Sequence, residues 1–251
     1  MRPQHSQVKL IAESGSEPHY QHYSGGSHRP ERRVQGKTLT LRRHYRPRQA
    51  DAAKRLIDVA GALLLLTMFA PVFVLCYLLI RLDSDGPAIY DGKRVGRGGK
   101  TFRCLKFRTM HTDADGRLRE LLNAHTELRL EYATYRKLRR DPRVTRLGKF
   151  LRRSSLDELP QLLNVLKGDM SLVGPRPYLP SERRAMGDNE AVILLVKPGL
   201  TGYWQVSGRS NVSFQERLDM EERYVRQWSL RWDIKLLFKT VLVVCRARGA
   251  S

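Results

Sequence analysis

Residues 59–80 read VAGALLLLTMFAPVFVLCYLLI, 22 positions without a charged side chain, and the folding of this run decides the architecture of the chain. As one straight helix it would extend about 33 Å, enough to cross the hydrocarbon core of a bilayer. Pro71 sits near its centre, lacks an N–H and biases Ala70 away from helical geometry. A bend there leaves two arms of roughly 16 Å each, half the hydrocarbon thickness, so the chain can enter one leaflet and return to the same side. The flanks favour the return. Lys54 and Arg55 precede the run while Arg81, Lys93, Arg94, Arg97 and Lys100 follow it, and a span would leave one basic flank outside. A single span that tolerates its proline is the competing reading.

The formal net charge is +21 over 251 residues, which asks for an anionic partner: nucleic acid, an acidic membrane face or a phosphorylated substrate. Residues 1–50 hold ten Lys or Arg against three Asp or Glu with little apolar periodicity, and read as a disordered basic tail. The remaining excess lies beside the apolar run and around Asp157, which favours membrane lipids and phosphate; no nucleic-acid-binding signature accompanies it. The three cysteines, Cys76, Cys104 and Cys245, are far apart and carry neither disulfide nor zinc spacing, which fits a reducing compartment. The start, MRPQHSQVKL, has no apolar core of a cleavable signal peptide. Three parts are expected: the tail (1–50), a membrane hairpin (51–82) and a catalytic domain (83–251).

In residues 86–110, GPAIYDGKRVGRGGKTFRCLKFRTM, Gly and Asp turn signals separate two short β-prone runs, a small β-hairpin with Lys106 and Arg108 on one face. Residues 115–140 carry Leu118, Leu121, Leu122, Leu128, Tyr132, Tyr135 and Leu138 at mostly helical spacing, which predicts one amphipathic helix. Residues 143–153, RVTRLGKFLRR, form a basic amphipathic stretch suited to a membrane interface. Near the end Trp228, Trp232 and Phe238 interleave with Arg231, Lys235 and Lys239, which suits either a second membrane contact or a helix closing the core. The fold class is therefore α+β and mostly helical: a re-entrant membrane helix hairpin, a small β-hairpin and interfacial amphipathic helices.

The chemistry concentrates in residues 152–177, RRSSLDELPQLLNVLKGDMSLVGPRP, where an adjacent carboxylate pair, Asp157 and Glu158, stands among phosphate-binding cations. Pro160 belongs in the first turn of the following helix, which should begin near Asp157. The positive helix end would then lower the carboxyl pKa and receive phosphate oxygens. An ionised aspartate is a competent nucleophile toward phosphorus, and Glu158, about 100° away around a helix, would serve as base, metal-orienting group or anchor for a cation. Ser155 with Glu158 equally fits a capping box, with Asp157 a simple cap. Arg152, Arg153, Lys106 and Arg176 exceed what a cap needs, and Arg176 is presented between Pro175 and Pro177. A diphosphate substrate usually brings Mg²⁺, with Asp157 and then Glu158 as candidate ligands. Residues 197–209, KPGLTGYWQVSGR, read as a loop that closes over a nucleotide or sugar, with Arg209 as its candidate contact.

Taken together, KRLID (54–58), the central Pro71, the 86–110 and 197–209 stretches and DPRVTRLGKFLRRSSLDELPQLLNVLKGDMSLVGPRP (141–177) resemble the bacterial sugar transferases of the monotopic polyprenyl-phosphate phosphoglycosyl transferase family. The likeness runs over residues 54–244, and the chain is similar to short-form exopolysaccharide galactosyl-phosphate transferases of succinoglycan type. Ala70 stands where that family commonly has serine. The resemblance implies a re-entrant hairpin on the cytoplasmic face of the bacterial inner membrane. It also implies Asp157 as the nucleophile that attacks a UDP-sugar and releases UMP, with undecaprenyl phosphate as acceptor. Glu158 is then the dyad partner, Lys106, Arg152 and Arg176 the substrate-phosphate cations, and Mg²⁺ the cofactor. A non-enzymatic, membrane-anchored basic adaptor is the alternative that composition leaves open; so is the oligomeric state, monomer or homo-oligomer.

Overall fold

The structure, a computed structural model, describes residues 48–135, 138, 141–207 and 212–245. The basic tail before residue 48 and Arg209 lie outside the described residues.

The apolar run is broken where its proline stands. Helix α1 (Arg48–Met68) gives way at Phe69 to helix α2 (Ala70–Asp83), in which Pro71 occupies the first turn, the position that spares its missing N–H. The two helices meet at a bend of 64°, and neither alone is long and apolar enough to cross a membrane; only together do they reach the length and apolar composition of a span. The break is thus as expected; a bend of this size is a broken helix pair, short of a tight hairpin. Leu56, Leu64, Met68, Val74, Leu78 and Leu82 on the pair are exposed, an apolar belt far larger than a water-facing surface ordinarily carries.

The start of α1 is bolted to the rest of the protein through the charged residues of KRLID. Lys54 Nζ donates to the Val173 carbonyl (3.0 Å) and pairs with Asp233 (2.6 Å). Arg55 donates to the carbonyls of Val165 and Leu166 at 2.6 and 2.7 Å, and Asp58 accepts from Ser171 Oγ and Leu172 N, both at 2.9 Å. Ala62 then enters the main core beside Leu162, Val165, Met170, Leu172, Tyr224 and Leu236. Each fully buried aliphatic side chain there contributes about 1.5–3 kcal/mol.

Strands β1 (Ile89–Val95) and β2 (Thr101–Phe107) form the expected antiparallel hairpin. Lys106 lies on it, but Arg108 falls just past its end and turns away: its guanidinium donates to Ser84 O and Oγ and to Ile80 O, satisfying carbonyls at the C-terminus of α2. The single helix expected over 115–140 is two, α3 (Ala114–Ala124) and α4 (Thr126–Tyr135), because His125 is extended and Arg129 reaches back to the Leu122 and Asn123 carbonyls that end α3.

Helix α5 (Arg146–Ser154) and helix α6 (Gln161–Lys167) follow. The stretch GDMSLVGPRP (168–177), which carries Arg176, contains strand β3 (Ser171–Val173). After helix α7 (Glu190–Ile193), β3 pairs in parallel with strand β4 (Gly199–Thr201). That pairing needs glycine: a Cβ on Gly199 would stand 2.0 Å from the Gly174 backbone nitrogen. Helices α8 (Tyr203–Ser207), α9 (Phe214–Arg226) and α10 (Leu230–Cys245) complete the chain. Helix α10 and the turn before it close the core, the second of the two readings. Trp228 and Trp232 pack on the core, while Ile234, Phe238, Val241 and Leu242 stay exposed, Phe238 by 70%. Cys76 and Cys104 are buried free thiols, as their spacing implied.

Candidate active site

The site is made where the end of β2, helix α5 and the turn before α6 converge. Thr145 N donates to Thr109 O (3.1 Å), and Thr145 Oγ1 caps α5 by accepting from Gly148 N at 2.9 Å. A Cβ on Gly148 would meet the Thr109 carbonyl oxygen at 2.1 Å, so only glycine lets α5 lie this close to the strand end. At its other end α5 stops on Ser155, whose φ of 59° makes it the sole described non-glycine residue in the left-handed region. This strained residue reverses the chain into a single 3₁₀ turn, Leu156–Glu158, which presents the carboxylates.

Asp157 and Glu158 diverge as the helical spacing implied. Glu158 Oε1 receives Lys106 Nζ at 2.6 Å, both side chains about one third exposed. Asp157 is 9% exposed and accepts no hydrogen bond from another side chain among the described residues. Burial pushes its carboxyl up to about 6, and the Glu158 charge adds to this, against the opposing pull of Lys106 and Arg152. The expectation of a lowered pKa is therefore corrected. The α-helix begins only at Gln161, four residues later and seven residues long, so its dipole is weak at Asp157 and desolvation wins. The capping alternative fails too, since Ser155 makes no side-chain cap.

Arg152 Nε is held by Thr109 Oγ1 at 2.9 Å and faces the charges of Asp157 and Asp141. Beside it Asp141 and Arg143 form a two-pronged pair at 2.8 and 2.6 Å, which holds Asp141 below the usual carboxylate range despite its burial. Neither residue carried a signal of its own in the sequence. Nor did Asn164, whose amide links α6 to β2 by accepting from Leu105 N (2.9 Å) and donating to Arg103 O (2.7 Å). Leu156 and Leu159 pack with Phe107 and Leu151 against Val72, Phe73, Cys76 and Ile80 of α2, so the carboxylate turn rests directly on the second arm of the apolar pair.

Lys106, Arg152, Asp157 and Glu158 are thus brought together as the sequence suggested. Arg176 forms no hydrogen bond or ion pair with either carboxylate. Its backbone N–H donates to Glu221 Oε1 (2.8 Å), and its charge is felt by Arg94 and Arg217. Glu221, 1% exposed, also receives Tyr178 OH at 2.6 Å, and burial raises its carboxyl to about 7. No cluster of three or more His, Cys, Asp or Glu side chains occurs among the described residues. The open Asp157 carboxylate beside Glu158 nonetheless suits a magnesium ion, which takes one or two carboxylates plus phosphate oxygens.

Residues 49–247 match the family described as "Bacterial sugar transferase". The chain is 43% identical over 198 residues to the exopolysaccharide production protein ExoY of Rhizobium meliloti, covering 79% of this chain and 88% of that one. It is 45% identical over 213 residues to the undecaprenyl-phosphate galactose phosphotransferase of Salmonella typhimurium, covering 84% of this chain and 44% of the relative. Over 204 residues it is 42% identical to the UDP-glucose:undecaprenyl-phosphate glucose-1-phosphate transferase of Caulobacter vibrioides, covering 78% and 71%. This chain thus spans less than half of the longer Salmonella relative. The matched region contains the bent helix pair, the β-hairpin and the carboxylate turn, and the chain belongs to the bacterial sugar transferase family.

Proposed function

We propose that the protein transfers a hexose 1-phosphate, galactose 1-phosphate first among the candidates, from a UDP-sugar to undecaprenyl phosphate in exopolysaccharide synthesis. The observation that carries this reading is Asp157: a buried carboxylate left open by its neighbours, between a lysine-held glutamate and an arginine, on a turn seated against an apolar helix. The names of the Salmonella and Caulobacter relatives support the acceptor and leave galactose and glucose as the leading sugars.

In the first step an Asp157 carboxylate oxygen bonds to the β-phosphorus as the bond to the α-phosphate oxygen breaks, and UMP leaves. An undecaprenyl phosphate oxygen then attacks the same phosphorus and Asp157 regains its carboxylate, so two displacements replace one hard one. Lys106 and Arg152 offset the charge of the reacting phosphate, and Glu158 holds Lys106 in place. Magnesium, held by Asp157 and Glu158 with the substrate phosphates, would supply further neutralisation. The apolar pair keeps both its ends on the cytoplasmic side of the inner membrane, which brings the turn to the lipid acceptor.

Incubating the full chain with undecaprenyl phosphate and a panel of UDP-sugars, and following UMP, tests the reaction. Donor alone should leave a phosphosugar on the protein by intact mass, and Asp157→Asn should carry none. A competent enzyme that turns over only with both substrates present and never holds the adduct overturns the mechanism. Cysteine labelling near Arg48 and near Lys100 tests the topology: reaction from opposite sides would establish a span.

A further inference from the structure

Away from the carboxylate turn, three arginines from three elements meet without a matching set of acids. Arg94 comes from β1, and its neighbour Val95 donates to Tyr178 O at 2.9 Å. Arg176 is two residues before Tyr178, and its N–H is tied to Glu221. Arg217 lies one helical turn before Glu221 on α9, its guanidinium 4.4 Å over the ring of Trp204. Two acids face the three cations: Glu221 already accepts from the Arg176 N–H and from Tyr178 OH, and Glu182 accepts from Leu179 N at 2.7 Å.

The donors around it are not satisfied. Arg94 Nη1, Arg217 Nε and Trp204 Nε1 are buried and have no hydrogen-bond partner among the described residues. Buried, unpaired guanidinium and indole N–H groups are costly to keep unless a ligand completes them, and converging guanidinium donors match phosphate oxygens. Mutual repulsion points the same way: burial and the charge of Arg176 lower the pKa of both Arg94 and Arg217.

We propose that Arg94, Arg176, Arg217 and Trp204 form a phosphate-binding subsite for the nucleotide part of the donor, separate from the Asp157 turn. The inference rests on the donor being a UDP-sugar. Its position on the hairpin selects the nucleotide over the lipid phosphate. Lys106 and Ile89 lie toward the hairpin end that packs on α2, whereas Arg94 lies toward the Gly96 end, which bonds through Gly98 N to Leu194 O and, through Arg97 and Asp51 at 4.0 Å, meets the charged start of α1, at the opposite end of the hairpin from α2. Arg94 and Lys106 share one face of the hairpin, with Gly92 and Cys104 between them.

Equilibrium binding of UMP, uridine and undecaprenyl phosphate in vesicles to the full chain tests this. Each is measured for wild type, Arg94→Gln, Arg217→Gln and Arg217→Lys, with thermal unfolding checking that each variant folds. Loss of either guanidinium should weaken UMP by about tenfold or more, equivalent to ~1.4 kcal/mol, and leave uridine and the lipid phosphate unchanged. Arg217→Lys should recover part of the affinity, as a point charge replaces a planar fork. In turnover the Gln variants should raise KM for the donor more than they lower kcat. Unchanged UMP affinity in folded Gln variants overturns the subsite. Equal loss for uridine moves the contact to the nucleoside, and loss for undecaprenyl phosphate instead moves it to the acceptor; either result rejects the assignment. These outcomes are independent of Asp157: the phosphosugar adduct tests the reaction, and UMP binding tests the arginines.

Discussion

Two buried aspartates behave in opposite ways, and the contrast separates architecture from chemistry. Asp233 on α10 is saturated: Lys54 Nζ and Trp228 Nε1 reach Oδ2 at 2.6 and 2.9 Å, and Tyr224 OH reaches Oδ1 at 2.7 Å. It ties the start of the apolar helix to the core through three side-chain donors. Asp157 is buried nearly as well, yet among the described residues no side chain donates to it, and its neighbouring cations are committed elsewhere, Lys106 to Glu158 and Arg152 to Thr109. A carboxylate that is fully paired stabilises a fold. One that is desolvated and left open carries a cost that a substrate can relieve.

The sharpest way to break this contrast is Asp157→Asn. UMP release should fall roughly 10⁴-fold or more, because the amide is no nucleophile, while the variant stays folded. Comparable turnover in a steady-state UMP assay would end the case for Asp157. Next comes Asp233→Asn, which leaves Lys54 buried without its counter-charge and should cost about 3–5 kcal/mol in thermal or denaturant unfolding. Replacing both partners, Lys54→Met with Asp233→Leu, should restore only part of this, since Tyr224 and Trp228 lose their acceptor at about 1–3 kcal/mol each.

The third prediction turns on pH. The folded state raises Asp157 from an ordinary carboxylate value near 4 to about 6. The stability this group contributes is fully present below about pH 4 and is lost as pH rises through about 6. Asp157→Asn escapes that loss, so above pH 7 it should unfold later than wild type, by up to ~3 kcal/mol, and below pH 4 the two should coincide. A fixed difference at all pH values would show that the carboxyl is not perturbed. In the active enzyme, kcat/KM should climb about tenfold per pH unit below 6 and level off above it. The smallest effect is expected at Ser155→Gly. Relief of the left-handed strain should raise stability by about 0.5–1 kcal/mol with the turn unchanged.

The parts legible in the sequence are those set by local chemistry. Pro71 broke the apolar run because a proline has no N–H to give at any position, whatever surrounds it. Glycines and alternating apolar residues marked the hairpin, and RRSSLDELP marked the dyad by charge alone. What the sequence did not place depended on partners far along the chain. Arg108 was grouped with Lys106 by strand spacing, but the carbonyls it serves belong to α2, 24 and 28 residues earlier. Arg176 stands 19 positions from Asp157, yet Glu221, 45 residues later, takes its backbone into another cluster.

The amino-acid sequence by itself determined where the apolar run breaks, which residues form the hairpin and which carboxylates stand among cations, since each follows from one residue's geometry or its near neighbours. Only the tertiary structure decided that β3 and β4 pair in parallel, that Asp157 is left open while Asp233 is held by three donors, and that Arg176 and Arg217 lie beside Glu221 with Arg94 next to Arg176. Desolvation is the reason. Whether a charge is buried, and what shares its burial, is fixed by segments that approach from elsewhere in the chain, and that balance sets both a carboxylate's proton and an arginine's demand for an anion.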